Sequence, residues 1–152
     1  MTRINSAIPV EHLTDEHLLA EHREIKRMPA LFAKTNKLTL PKRIPKEFCL
    51  GSGHVTFFFN KFGFIFTRYS RLFEECKRRG FNVNYYGSNF FDNEHTLKPY
   101  WHGYAITAKE RSLLIDRIAD RIISSNKDCF HYYGKPITKQ QAINLLQYGK
   151  YS

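Results

Sequence analysis

The chain has 152 residues, 42% of them hydrophobic, with 24 Lys and Arg against 14 Asp and Glu, a formal net charge of +10. That length suits one domain with a modest core, and the apolar share excludes disorder throughout. The positive balance points to a polyanionic partner, and nucleic acid is expected over a membrane surface because no strongly amphipathic basic helix stands out.

No apolar run approaches the roughly 20 residues needed to cross a bilayer. Cys49, Cys76 and Cys129 are far apart and in no CxxC spacing. With no signal-peptide pattern at the start, they read as reduced thiols of a cytoplasmic protein.

The first 27 residues hold the most specific chemistry. Thr2 is small enough that Met1 ahead of it would normally be trimmed, leaving a free α-amino group. The reference pKa of such an amine is about 7.7–8.0, so roughly a tenth is unprotonated and nucleophilic at neutral pH. Nearby cations, such as the adjacent Arg3, would lower that pKa further. An amine of this kind can attack a sugar C1′ and form an imine.

From Thr14, an N-cap residue with Asp15 and Glu16 in the first turn, the pattern predicts a helix. Leu18, His22 and Ile25 share its buried face, while Ala20, Arg23, Glu24 and Arg27 share a separate arc. Glu24 is thus a carboxylate flanked by two guanidiniums beside a small residue. Ordinary charge pairing on a solvated face is the alternative. Pro29 should kink or end the helix, and Leu31, Phe32 and Ala33 suggest that it resumes.

Residues 35–49, with two prolines and four basic residues, read as a basic surface connector. Gly51-Ser-Gly53 lacks the Lys-Ser/Thr ending of a P-loop, so it is read as a tight turn and not as a nucleotide cradle. Phe57, Phe58, Phe59, Phe62, Phe64 and Phe66 are expected in the core. A helix should run from about 63 to 79, closed by Gly80, with Lys77, Arg78 and Arg79 explained by its dipole. Residues 83–105 read as an irregular loop packed by its own rings, Trp101 included.

Thr107-Ala-Lys-Glu110 predicts a capping box and a helix to about 124 burying Leu114, Ile115, Ile118 and Ile122, with Arg117 and Arg121 as a basic row off that face. In 128–135, Tyr132, Tyr133, His131 and Lys135 interleave aromatics with cations, as suits a distorted duplex. Thr138-Lys-Gln-Gln141 predicts a second capping box and a short last helix, packed through Ile143, Leu146 and Leu145. His12, His17 and His22 are spaced i,i+5 and cannot chelate from one helix face, so no metal is expected.

Several stretches resemble one family. Met1-Thr-Arg-Ile-Asn5, His17-Leu-Leu-Ala-Glu-His-Arg-Glu24, Leu50-Gly-Ser-Gly-His-Val-Thr-Phe-Phe58, Arg78-Arg-Gly-Phe-Asn82 and Tyr132-Tyr-Gly-Lys135 are similar, in order, to the pyrimidine-dimer DNA glycosylase/AP lyase family. The chain departs from it at Cys129, where the family has tryptophan, and at His131, where it has lysine. The resemblance covers most of residues 1–135 and leaves 136–152 as a C-terminal extension packed on that domain.

The resulting expectation is an all-α fold of one compact domain, with main helices near 14–34, 63–79 and 107–124, long ordered loops and a short extra C-terminal helix. The resemblance implies a monomeric enzyme, independent of membranes and cofactors, that binds duplex DNA bearing a cyclobutane pyrimidine dimer and extrudes a base opposite the lesion. It implies that the Thr2 amine attacks C1′ of the dimer's 5′ nucleotide, that Glu24 handles protons, and that β-elimination follows. Arg3, Arg23 and Arg27 would hold phosphates near the lesion; Arg117, Arg121, Lys135, Tyr132 and Tyr133 would make outlying DNA contacts. A glycosylase for another lesion, or a non-catalytic DNA-binding protein of this fold, are the alternatives.

Overall fold

A computed structural model of the chain describes residues 3–91 and 97–151. Helix α1, Asp15–Ile25, starts where Thr14 Oγ1 accepts the His17 N–H at 3.2 Å. Leu18, His22 and Ile25 are buried as their spacing predicts. The helix breaks at Lys26 and Arg27, a turn before Pro29. Pro29 instead lies in the first turn of α2, Met28–Ala33, where its missing N–H costs no helical bond. The short helices α3, Leu40–Arg43, and α4, His54–Phe57, follow.

Helix α5, Phe62–Arg78, is the central rod and packs on α1. Ile65, Tyr69, Leu72 and Cys76 form its buried stripe, and burial pushes the Cys76 thiol up to about 11, leaving it unreactive. At its end the Phe81 N–H bonds Cys76 O at 2.9 Å and the Gly80 N–H bonds Lys77 O at 3.0 Å, a Schellman closure. Near its start, a Cβ on Gly63 would lie 3.0 Å from His102 O, so glycine lets the returning chain pass closely and a larger residue would push it away by a few tenths of an ångström. That chain belongs to the 83–105 segment, which contains α6, Ser88–Phe91, and packs through Phe66, Phe91 and Trp101.

Helix α7, Ala108–Ser124, buries Leu114, Ile118 and Ile122. Its N-terminus differs from expectation: Thr107 Oγ1 accepts the Glu110 N–H, but the Glu110 side chain does not reach back. It turns inward, accepting from Ser6 Oγ and, at 2.7 Å, from the Tyr104 hydroxyl. A tertiary contact takes the place of half the capping box.

Residues 128–137 carry a feature the sequence pattern does not announce, an antiparallel hairpin of β1, Phe130–Tyr132, and β2, Lys135–Ile137. Tyr133 and Gly134 turn it with φ of 53° and 78°, the left-handed pair of a primed turn. Left-handed backbone at Tyr133 costs about 1–2 kcal/mol. Two bonds offset it, because Asp15 accepts the N–H groups of Tyr133 at 3.1 Å and Gly134 at 2.8 Å.

The last helix, α8, Lys139–Tyr148, opens with the full Thr138/Gln141 capping box. It packs on α7 and on the 3-10 turn Val10–His12. Ala142, Leu145 and Leu146 are buried there, with Ile143 only at the margin. One buried cluster runs from Ile4 to Leu146 and includes Phe57, Phe58, Phe59 and Phe62; Phe64 and Phe66 lean on it from outside. The fold is all-α, one compact domain, with the hairpin as its small β appendage.

Candidate active site

The N-terminal segment, α1 and α7 enclose a cavity of about 200 Å³. Arg3 and Asn5 line it from the first, Ala20, Glu21 and Glu24 from the second, and Arg117 and Arg121 from the third. Two carboxylates and three guanidiniums thus meet around Ala20, whose small side chain leaves the space open. Thr2 and Met1 lie outside the described residues, so Arg3 is the nearest described neighbour of the predicted nucleophile.

The carboxylates differ in circumstance. Glu21 is buried and takes two 2.8 Å hydrogen bonds, from Arg68 Nε and Nη2. Arg68 also donates to Ile8 O at 2.5 Å. Removing either partner of so buried a pair costs about 3–5 kcal/mol, so Glu21 is structural. The Glu24 side chain is 22% exposed and, among the described residues, pairs only with Arg27, at 3.1 Å, which is 54% exposed. A surface pair of this kind contributes about 0–1 kcal/mol and yields easily to an incoming group. Arg23 is exposed one turn before Arg27, and neither lines the cavity. Arg27 reaches the cavity's edge only through its pair with Glu24.

On the opposite wall, Arg117 is half-buried, and its Nη1 is buried with no hydrogen-bond partner among the described residues. Burial lowers its pKa from the ordinary value, but an arginine stays charged. Arg121, a turn further, is exposed. His17 closes the end of the cavity, its Nδ1 2.8 Å from Thr14 Oγ1. Burial and the Lys127 charge hold its pKa below the usual histidine range, against the pull of Glu16 and Glu21.

Residues 3–8 reach the cavity without joining a helix or strand. Side chains hold them instead: Ile4 N–H donates to His54 Nε2 at 3.0 Å, Ser6 Oγ to Glu110, and Ala7 O and Ile8 O accept from Arg111 and Arg68.

Tyr132, Tyr133 and Lys135 are at the other end of α1. Their hairpin docks on the first turn, at Asp15 and Glu16, nine residues or about 13 Å along the helix from Glu24. The tyrosine rings flank Arg79 at 4.6 and 5.0 Å, and their hydroxyls donate to Glu11 O and Glu75. Arg79 corrects an expectation. The helix dipole does not account for it, since it is buried, paired with Asp15 at 3.0 Å and Glu75 at 2.8 Å, and bonded to Leu13 O and Val10 O. Lys135 is exposed on β2. His131 donates Nδ1 toward Glu16 at 2.8 Å; burial alone would raise the Glu16 pKa, but the bonds from His131 outweigh it and lower it.

Glu21, Arg68, Arg79 and His54 do not stand out in the sequence. Glu21 had a signal, since it falls on the buried face with Leu18 and Ile25, and a buried carboxylate requires a partner. A larger cavity of about 520 Å³ lies between α5 and residues 103–106. Among the described residues it has no carboxylate in its walls, and Arg68, its most buried cation, is already taken by Glu21. Of these two cavities, only the smaller has carboxylates in its walls among the described residues.

Among the described residues no helix is long and apolar enough to cross a membrane. Residues 1–86 match the family model described as pyrimidine dimer DNA glycosylase. That span contains the N-terminal segment, α1 with Glu21 and Glu24, the Gly51–Phe58 stretch and α5; Arg117, Arg121 and the hairpin lie beyond it. With more than half of its length matched, the chain belongs to the pyrimidine dimer DNA glycosylase family, enzymes that act on DNA.

Proposed function

We propose that this DNA glycosylase is also an AP lyase acting on cyclobutane pyrimidine dimers in duplex DNA, with the α-amino nitrogen of Thr2 as nucleophile and Glu24 as proton carrier. The amine attacks C1′ of the dimer's 5′ nucleotide while the C1′–N glycosidic bond breaks, and the electron pair of that bond leaves with the base. Loss of the nitrogen's proton and opening of the sugar ring give an imine at C1′. The imine acidifies the 2′ hydrogens; removal of one to Glu24 expels the 3′ phosphate, and water then frees the terminus.

The observation that carries this reading is the contrast within one cavity. Glu24 is held by an exposed partner, while Glu21 is locked by Arg68, and Arg3, next in sequence to Thr2, shares the cavity with both. A carboxylate acting on a developing cation needs that freedom to exchange partners. Arg3, Arg23, Arg27, Arg117 and Arg121 supply cations on both sides of the cavity mouth for phosphates, and Arg117 brings a buried, unpartnered Nη1. Lys135 and the tyrosine pair would meet the duplex further along α1. The protein acts as a monomer in this reading.

Borohydride trapping on a dimer-containing duplex is the test. A covalent adduct of one chain and one strand, with its attachment mapped to Thr2, is the expected product. Cleavage of the glycosidic bond with no trappable adduct would leave a glycosylase working by another nucleophile.

A further inference from the structure

The motif Gly51-Ser-Gly53-His54 has no part in the chemistry so far, yet His54 holds the backbone two residues from Thr2. It is buried, with its ring edge-to-face against Phe48 and Phe58 at 5.4 and 5.6 Å. Both nitrogens are engaged: Nδ1 lies 3.0 Å from Cys49 O and Nε2 3.0 Å from the Ile4 nitrogen. A carbonyl oxygen only accepts, so the proton is on Nδ1; a backbone N–H only donates, so Nε2 is the acceptor. The base of the ring is fixed in turn, because His54 N–H bonds Gly51 O at 3.1 Å. At Gly53, a Cβ would come within 3.2 Å of Pro45 and 3.3 Å of Cys49.

We infer that His54 is a positioning residue for the N-terminal amine, fixing the peptide between Arg3 and Ile4 beside the cavity that Arg3 and Glu24 line. This rests on the amine chemistry proposed above.

The leverage is geometric. From the anchored Ile4 nitrogen, at most about 7 Å of chain leads back to the Thr2 nitrogen. Without that bond the peptide between Arg3 and Ile4 loses its hold on the ring, and the amine two residues away shifts with it. Misplacement of a reacting atom by a single ångström can cost about 100-fold in rate. The Ile4 side chain is itself fully buried and sets the depth of the segment in the core.

The anchor also needs a neutral ring, since an imidazolium has no acceptor. Burial among the rings favours that form, as does the charge of Arg117 from α7. Glu21, from α1, opposes it and is itself neutralised by Arg68.

Two substitutions separate the two nitrogens. His54→Gln restores an acceptor at the position of Nε2 and loses the bond to Cys49 O; His54→Asn restores the Nδ1 donor and loses the acceptor for Ile4. Single-turnover borohydride trapping on a dimer duplex should slow at least tenfold in His54→Asn and stay within threefold of the parent in His54→Gln. Affinity for a duplex with a tetrahydrofuran abasic analogue should be equal in all three. A His54→Asn protein trapping at the parent rate, or a rate loss shared by both variants and following their melting temperatures, overturns the assignment. If neither variant folds, NMR on the parent decides: a protonated Nε2, or an Ile4 amide exchanging at unprotected rates, overturns it. If the parent forms no adduct at all, the amine mechanism itself falls, and this role falls with it. A parent that traps, with a His54→Asn variant just as fast, removes the role of His54 alone.

Discussion

Glu21 and Glu24 stand one helical turn apart and face one cavity, yet Arg68 binds both oxygens of the first at 2.8 Å while the second meets Arg27 at the surface. In the proposed mechanism the pair divides labour between holding the site and working in it, and the division can be tested by treating both residues alike. Glu24→Gln should keep its fold and its affinity for damaged DNA and lose turnover by about 100-fold or more. Glu21→Gln leaves Arg68 buried beside a neutral amide and should lose about 3–5 kcal/mol of stability. Urea denaturation and single-turnover assays of both proteins check this; a Glu24→Gln enzyme at normal rate would return Glu24 to the role of a surface charge.

The N-terminus offers a direct chemical test. Acetylating the Thr2 nitrogen removes its lone pair from use. Retaining Met1 shifts the amine by one residue, ~3.8 Å, beyond the ~3–3.5 Å approach an attack requires. Each should abolish trapping and strand cleavage while leaving lesion affinity nearly intact, and Thr2→Ala with Met1 removed should remain active. Normal cleavage by a mass-verified protein retaining Met1 would reject the assignment.

An amine nucleophile has no need of a divalent ion. Cleavage of a dimer duplex should therefore persist in excess EDTA. Activity lost on chelation and regained with a metal would require a different mechanism.

Arg117 and Arg121 should make themselves known through salt. Replacing either by alanine should weaken binding to every duplex and reduce the slope of log K against log salt by about 0.9 for each phosphate no longer neutralised. Arg117→Ala should also relieve an unpartnered buried nitrogen and so cost little stability. An unchanged slope removes that wall of the cavity from the DNA interface.

His17, His22 and His54 all have pKa values lowered below the ordinary histidine value, with burial the first cause of each. The unfolded chain therefore binds more protons than the folded one between those lowered values and about 6.5. Stability should be constant above that pH and fall as pH drops through the folded-state values. Thermal melts from pH 7.5 to 5 check the sign; a melting temperature that rises on acidification would contradict it.

Much of the architecture follows from local pattern. The spacing of Leu18, His22 and Ile25, the Thr14 and Thr138 caps and the Gly80 closure act within one or two turns, and they lie where the sequence places them. Glu110 shows the limit. Its local signal is that of a capping box, and only the approach of Ser6 and Tyr104 from distant segments decides otherwise. The hairpin is hidden because its Tyr133-Gly134 turn lacks the usual Asn or Asp and depends on Asp15 for its N–H partners. At the site, Glu24, Arg3, Arg117 and Arg121 are legible as types and do meet at one cavity. Which carboxylate is already committed is not, since Arg68 is 47 residues from Glu21.

The tethers of the N-terminal segment have a consequence for biosynthesis. Ser6 is bound by a residue 104 positions later and Glu11 by one 121 positions later. No ribosome-bound chain can form these bonds until most of the protein has emerged, and closing such long loops is slow. Ser6 and Glu11 thus wait for the C-terminal part of the chain, whereas Ile4 and Ile8 meet partners only 50 and 60 positions later. The wall of the cavity that Arg117 and Arg121 supply is also made late, so a nascent chain lacks the complete cavity.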